Sequence, residues 1–188
     1  MRWAILVGCV LISACSTPSN LNYDSSKIAV AKQPARALVD LSDITDSRKH
    51  GPNWLGAIRG GFGEPLKTVT TEVPVKDVVK ANFGEALKAR GLVGSYSQYS
   101  MQVTIERLDC NQYVRREAHA QITASLVQKS SGRLVFQRQA SADRVGSFNP
   151  FDSGLLASSE DLRKVANDVL QDVVDQVLDD PKLAILLR

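Results

Sequence analysis

The clearest strand in the chain reads Ala118-His119-Ala120-Gln121-Ile122-Thr123-Ala124-Ser125-Leu126. Its apolar residues occupy every second position, so they share one face of an extended strand while the polar residues share the other. This alternation favours an antiparallel sheet with one face open to water. Ser130-Ser131-Gly132 then predicts a turn, after which residues 133–145 complete a long hairpin.

The preceding residues 99–110 are predicted to form another half-buried strand. Its apolar positions are Met101, Val103, Ile105, Leu108 and Cys110. The last two continue the alternation only if the pattern slips by one residue near Arg107, which predicts an irregularity there.

A glycine cluster, Gly60-Gly61-Phe62-Gly63-Glu64-Pro65, separates two short β-rich pieces at residues 54–59 and 66–71. This arrangement predicts a hairpin with a broad turn. Glycines of this kind can also cradle phosphate. The cluster lacks the Lys-Ser/Thr of a P-loop and no predicted helix follows it directly, so the turn is the favoured interpretation.

Two amphipathic helices are predicted at residues 74–90 and 159–179. Pro74 suits a first helical turn, Gly91 suits a C-terminal cap, and Ser158 with Asp161 resembles a capping box. The apolar stripes are Val75, Val78, Val79, Phe83, Ala86 and Leu87 in the first, and Leu162, Val165, Val169, Leu170, Val173, Val177 and Leu178 in the second. The predicted fold is therefore α+β, a mainly antiparallel sheet with both helices packed on one face as two layers.

The remaining segments are less regular. Residues 27–33 and 37–41 are strand-like, residues 42–52 are predicted to be a polar loop, and residues 146–157 a loop carrying Phe148 and Phe151. Asp40, Asp43 and Asp46 could bind Ca²⁺ weakly, but they lack the EF-hand spacing, so we expect them to be solvated.

Composition excludes several classes of function. The 188 residues, 44% of them apolar, suit one globular domain, and 23 basic against 20 acidic residues give a net charge of +3, far from the basic balance of nucleic-acid binding. Only two His and three Cys are present. His119 falls on the open sheet face and His50 in a loop, neither at a recognisable catalytic spacing. We therefore predict no enzyme, no metal and no cofactor.

Residues 1–14 read as a secretory signal peptide, with Arg2 followed by an apolar run about half as long as a spanning helix requires. The run ends in Ile12-Ser13-Ala14-Cys15, which resembles the lipobox of bacterial lipoproteins. The resemblance implies cleavage before Cys15, a diacylglycerol thioether on its sulfur and a fatty acyl group such as palmitate on its amino group. Ser16 in place of Asp implies sorting to the outer membrane. The alternative is an ordinary secretory signal.

The predicted organisation has three parts: the signal peptide at residues 1–14, a lipidated Cys with a flexible tether at residues 15–26, and one periplasmic domain at residues 27–188. Cys9 leaves with the signal and Cys15 carries lipid, so Cys110 has no disulfide partner within the mature chain. We expect it to be a small buried apolar residue.

The chain ends in an apolar tail after Pro181. Four large side chains, Leu183, Ile185, Leu186 and Leu187, would form an aggregation-prone patch if all were exposed. They are predicted to be covered either by the domain's own sheet or first helix, or by a partner or second copy at an interface.

The order of these pieces resembles the YajG-like family of bacterial outer-membrane lipoproteins. The similarity is carried by the lipobox, Ala86-Leu87-Lys88-Ala89-Arg90-Gly91, the strand at residues 101–108, the hairpin around Gly132 and Val165-Ala166-Asn167-Asp168-Val169-Leu170. The resemblance implies a lipid-anchored protein with a non-enzymatic, largely uncharacterised role in binding or envelope maintenance. It also implies an envelope protein as partner, and it does not specify the oligomeric state. A second resemblance, to auxiliary lipoproteins of ABC systems that transport lipid or solvent, implies docking on an inner-membrane transporter.

Overall fold

The computed structural model describes residues 21–28, 38–94, 96–146 and 158–188. Six strands in these ranges form one sheet, accompanied by three α-helices and a single 3-10 turn at Ser25–Lys27. The strands are β1 (Val39–Asp46), β2 (Trp54–Arg59), β3 (Pro65–Thr70), β4 (Tyr99–Gln112), β5 (Arg116–Gln128) and β6 (Arg133–Val145). The helices are α1 (Val75–Ala89), α2 (Ser159–Leu178) and α3 (Pro181–Leu186).

Three long antiparallel strands, β4, β5 and β6, form the larger part of the sheet, with β6 at its edge. The alternating pattern of β5 is confirmed, because Ala118, Ala120, Ile122, Ala124 and Leu126 are all buried. The predicted irregularity in β4 is confirmed as well. Pairing with β5 shifts register between Ile105 and Arg107, and this bulge turns both Ile105 and Leu108 toward the core.

The other edge of β4 is shared by two strands that both run parallel to it. Strand β1 pairs with its first half, from Val39 opposite Tyr99, and β2 pairs with its last residues, from Gly56 opposite Cys110. The predicted hairpin of β2 and β3 is confirmed. The predicted loop at residues 42–52 is wrong in its first part, since β1 continues to Asp46. Among the described residues this strand pairs only with β4, and its polar side chains Asp40, Ser42, Asp43 and Thr45 are exposed.

Arg48 fills the gap between β1 and β2. Its side chain is 2% exposed, and the guanidinium donates to both carboxylate oxygens of Asp46 at 2.9 and 2.8 Å. One amino group also donates to the carbonyl oxygens of Trp54 at 2.9 Å and Leu108 at 3.0 Å. A side chain thus completes hydrogen bonding where neither parallel strand reaches the bulged part of β4. We call these four residues the Arg48 junction.

Both predicted helices are confirmed on the sheet. Helix α2 packs across β4, β5 and β6, while α1 packs on β1 and against α2. Ser158 Oγ accepts the amide of Asp161 at 3.3 Å, as the capping pattern predicts. Gly91 ends α1 with a φ of 67°, a left-handed conformation that favours glycine.

The apolar tail forms α3 and packs mainly on its own domain. Leu183 and Leu187 join the hydrophobic core, Leu186 is half-buried against it, and Ile185 is exposed. Cover by the chain itself therefore accounts for three of the four side chains. No helix in the described part of the chain has the length and apolar character needed to cross a bilayer.

Candidate functional site

The N-terminal segment, residues 21–28, lies on the helix layer. Leu21 is 4% exposed, and its carbonyl oxygen accepts a hydrogen bond from Nδ2 of Asn82 at 2.9 Å. The sequence prediction of a flexible tether extended to residue 26, so the structure differs from it over residues 21–26. The physical reason is that the side chains of Leu21 and Tyr23 pack on the hydrophobic core. The Ser, Asn and Asp residues around them make the segment polar overall, so its composition does not indicate this packing.

Arg90 at the end of α1 holds this segment to α2. Its guanidinium donates to the Tyr23 hydroxyl, to Asp175 and to Asp179, each at 2.9 Å. Tyr23 also donates to Asp175. Burial, followed by the Asp175 carboxylate, raises the pKa of Tyr23 to about 12. Burial alone would lower the pKa of Arg90, but its hydrogen bonds to Asp179, Tyr23 and Asp175 raise it overall. The group therefore stays charged and joins three elements of the chain.

The segment runs alongside α2 in the same direction as that helix. Leu21 and Asn22 lie beside the first turns of α2, near Glu160 and Asp161. Three residues later, the backbone of Asp24 exchanges hydrogen bonds with the side chain of Gln171 at 3.4 and 3.1 Å. The chain therefore enters the domain near the N-terminus of α2.

That same end of the molecule carries two loops of the sheet. Arg116, where β5 begins, pairs with Asp161 of α2 at 3.0 Å. The hydroxyl of Tyr113, in the turn between β4 and β5, donates to the carbonyl oxygen of Gly61 at 2.8 Å. We call this region, formed by residues 60–64, residues 113–115 and the first turn of α2, the hairpin end.

The glycine cluster in the hairpin end forms a turn, as predicted. Gly63 has a φ of 86°, and its amide donates to the carbonyl oxygen of Gly60 at 3.0 Å. The amide of Phe62 donates to a carboxylate oxygen of Glu64 at 3.2 Å. A Cβ on Gly60 would lie 2.1 Å from the other oxygen of that carboxylate. The chain's own Glu64 thus occupies the position that a phosphate cradle would leave for its ligand.

The lipidation residues Ile12, Ser13, Ala14, Cys15 and Ser16 lie outside the described residues, as do Phe148 and Phe151. Their predicted roles therefore stay predictions of the sequence. The first residue that the structure describes, Leu21, comes six positions after Cys15 in the sequence.

His119 has a carboxylate partner that sequence reasoning missed. Its Nδ1 lies 2.5 Å from Asp143, which is directly opposite it on β6. Only the strand register brings the two together, because 24 positions separate them in the chain. The other histidine, His50, stacks on Trp54 with ring centroids 3.8 Å apart.

Cys110 is fully buried and unpaired, as predicted. Burial, with the nearby charge of Asp109, raises the pKa of its thiol to about 12 despite an opposing effect of Arg163. The thiol is therefore protonated at neutral pH, and a protonated thiol is a poor nucleophile.

Among the cavities that open on the described surface, two are of interest. One, of about 240 Å³, lies between Leu21 and the start of α2, where Nε of Arg163 and Oδ1 of Asn167 have no hydrogen-bond partner in the described structure. The other, of about 400 Å³, is a groove between β1 and α1, with Lys80, Glu85 and Lys88 along it. Both have mixed polar and apolar walls.

The acidic residues of β1 are separated from one another. Asp40 pairs with Lys129 at 2.9 Å, and Asp46 belongs to the Arg48 junction. Across the described ranges, no three His, Cys, Asp or Glu side chains converge on a point that could hold a metal ion.

Comparison with known proteins indicates the family. A family described as uncharacterized lipoprotein matches residues 37–188. No curated protein matches the chain. Among solved structures, a Xanthomonas campestris protein of the DUF330 family is 15% identical, with a TM-score of 0.61 over 89% of this chain and 94% of that one. An uncharacterized protein is 11% identical, with a TM-score of 0.51 over 78% and 94%.

A minor lipoprotein of Acinetobacter baumannii is 11% identical, with a TM-score of 0.38 over 76% of this chain and 94% of that one. The two structures with TM-scores above 0.5 support the same α+β fold. Because the family match covers most of the sequence, including β1 to α3, the chain belongs to the YajG-like family of bacterial lipoproteins.

Proposed function

We propose that this protein is anchored by lipid on Cys15 to the periplasmic face of the outer membrane, where its domain binds an envelope partner without catalysing a reaction. The observation that carries the proposal is the spacing of Ile12-Ser13-Ala14-Cys15 from Leu21. A Cys directly after a short apolar run matches the lipobox pattern, and the six positions from Cys15 to Leu21 are enough to join a lipid on that Cys to the packed domain. Two or three acyl chains make such anchoring stable, whereas one chain is marginal.

The polar clusters of the described domain support the non-catalytic part of the proposal. Arg90 with Asp175 and Asp179 joins the N-terminal segment to the helices, and Arg48 with Asp46 joins two strands. Each cluster stabilises the fold, because its charged groups form ion pairs with other residues of the same chain. The buried thiol of Cys110, with its raised pKa, is likewise unsuited to nucleophilic catalysis.

Cys15→Ala tests the anchor, with Cys9→Ala as the matched control. Cys15→Ala removes the sulfur that receives diacylglycerol, so we expect an unprocessed precursor that incorporates no labelled palmitate in cells. Cys9→Ala leaves the acceptor sulfur in place and should be labelled like the parent. Undiminished labelling of Cys15→Ala would contradict the proposal.

Membrane fractionation tests the location. The parent should fractionate with the outer membrane, and Ser16→Asp should move the protein to the inner membrane. A parent that fractionates with the inner membrane and copurifies with permease components would instead support the transport-auxiliary alternative.

A further inference from the structure

Exposed apolar side chains project from the hairpin end. Phe62 is fully exposed at the tip of the β2–β3 loop. Tyr113 and Val114, in the neighbouring turn, are about half exposed, and the hydrogen bond from Tyr113 to Gly61 holds the two loops together. Val145, at the end of β6, is also exposed, and the next residue bonds to Arg116 at the start of β5. Two loops and the end of β6 thus present apolar groups at one end of the sheet.

Polar groups near these side chains suit a membrane surface. Arg59 donates to the carbonyl oxygen of Gly63 at 3.0 Å, and the exposed Arg115 follows Val114 directly. The carboxylates of the hairpin end have partners within the chain. Glu64 accepts the amide of Phe62, Asp161 pairs with Arg116 at 3.0 Å, and Glu160 lies 3.6 Å from Arg163. Aromatic residues combined with Arg are typical of the boundary between lipid headgroups and acyl chains, where a ring can be buried while the cation meets anionic headgroups.

The far end of the sheet also exposes apolar groups, namely Val93, Tyr96 and Leu134. The N-terminal segment distinguishes the two ends. Followed backward from Asp24 to Leu21, it passes from Gln171 toward Glu160, and therefore toward the hairpin end. Cys15 stands six positions earlier, so covalent geometry limits it to within about 20 Å of Leu21.

We propose that the hairpin end rests on the same bilayer that holds the lipid of Cys15, with Phe62 inserted at the headgroup boundary. This inference rests on the proposed lipid anchor. A tether of this length gives the loops a high effective concentration at the membrane, so an insertion too weak to recruit the free domain is sufficient to orient the anchored one.

Quenching of tryptophan emission tests the orientation. The mature, lipidated chain, which begins at Cys15 and therefore lacks Trp3, is placed in vesicles of phosphatidylethanolamine and phosphatidylglycerol, in which one lipid carries bromine on its acyl chains. Phe62→Trp is the test variant, and Tyr96→Trp is the matched control, because Tyr96 is 90% exposed at the far end. Val114→Trp provides a second test on the neighbouring turn. The parent gives the background from Trp54.

Brominated lipid should reduce the emission of Phe62→Trp and Val114→Trp several-fold more than that of Tyr96→Trp, which should match the parent. Flotation of each variant with the vesicles reports the lipid anchor separately. Variants that float while Phe62→Trp is quenched no more than Tyr96→Trp would overturn the orientation and leave the anchor intact. A parent that does not float would overturn both proposals.

Discussion

The two edges of β4 are completed in different ways. On one edge, β5 pairs with it along its whole length, and the apolar side chains alternate regularly toward the helices. On the other edge, β1 and β2 each pair with a part of it, and Arg48 bonds to the backbone between them. The first edge depends on a repeated pattern that many residues share. The second also depends on the Arg48 side chain, so substitution of that single residue should destabilise this edge.

The largest expected effect tests the regular edge. Ile122 is fully buried on β5, so Ile122→Asp places an unpaired carboxylate in the core and should lower the free energy of unfolding by more than about 4 kcal/mol. Urea denaturation measures the loss. The control is Gln121→Asp, which faces away from the core opposite Arg107 and should be nearly neutral.

Gln121 is a better control than Thr123, although both lie on the open face. The hydroxyl of Thr123 donates to Glu106 at 2.6 Å, so an Asp there would meet a second carboxylate. Equal losses for Ile122→Asp and Gln121→Asp would show that the regular edge does not depend on the alternation.

The Arg48 junction should show the next largest effect. Arg48→Ala removes the guanidinium from Asp46 and from the carbonyl groups of Trp54 and Leu108, leaving Asp46 only the amide of residue 48, and we expect a loss of about 3 kcal/mol. Lys49→Ala, at the exposed neighbouring position, should change stability by less than about 0.5 kcal/mol. If Arg48→Ala unfolds at the same urea concentration as Lys49→Ala, the second edge is held by its strands alone.

The tail extends the comparison to a region outside the sheet. Leu183 is buried and Ile185 is exposed within the same short helix. Leu183→Ala should cost roughly 2 to 3 kcal/mol, because it leaves a cavity, whereas Ile185→Ala should have little effect. Thermal unfolding of the two variants measures the difference. A larger loss for Ile185→Ala would mean that the tail packs on its other face.

The smallest expected effect is the pH dependence of the Arg48 junction. Burial by itself raises the pKa of Asp46, but the hydrogen bonds and charge of Arg48 outweigh it, so the folded pKa lies below the ordinary value of 3.8. The ionised carboxylate therefore stabilises the fold fully above about pH 5, and this contribution is lost as the pH falls through the folded pKa.

Asp46→Asn should consequently lose less stability between about pH 5 and pH 2 than the parent. Melting temperatures measured across this range test the prediction. Two parallel curves would indicate that Arg48 does not favour the ionised form of Asp46.

The sequence predicts those parts of the fold that are fixed by periodicity. Strand β5 and the two long helices show regular apolar spacing. In β4, the bulge near Arg107 is visible in the sequence as a one-residue slip of the apolar alternation. Strand β1 does not, because an edge strand with Ser42, Asp43 and Thr45 facing water has the composition of a loop. Its parallel pairing depends on Tyr99, far along the chain, and no local pattern records that choice.

The candidate site likewise has a part that the sequence predicts and parts that only the folded structure shows. The lipobox is a contiguous motif and can be predicted from the sequence, whereas the route of the N-terminal segment depends on Arg90 and Asp175, which come together only in the folded domain. The pairing of His119 with Asp143 also arises from strand register.

The parallel placement of β1 also affects the order in which the chain can fold. Val39 pairs with Tyr99, sixty positions later, so β1 stays unpaired until that distant part of the chain has come together with it. An apolar strand left unpaired during folding would be prone to aggregate. Asp40, Asp43 and Asp46 instead give β1 negative charges, which oppose strand-to-strand association between unfolded copies of the chain.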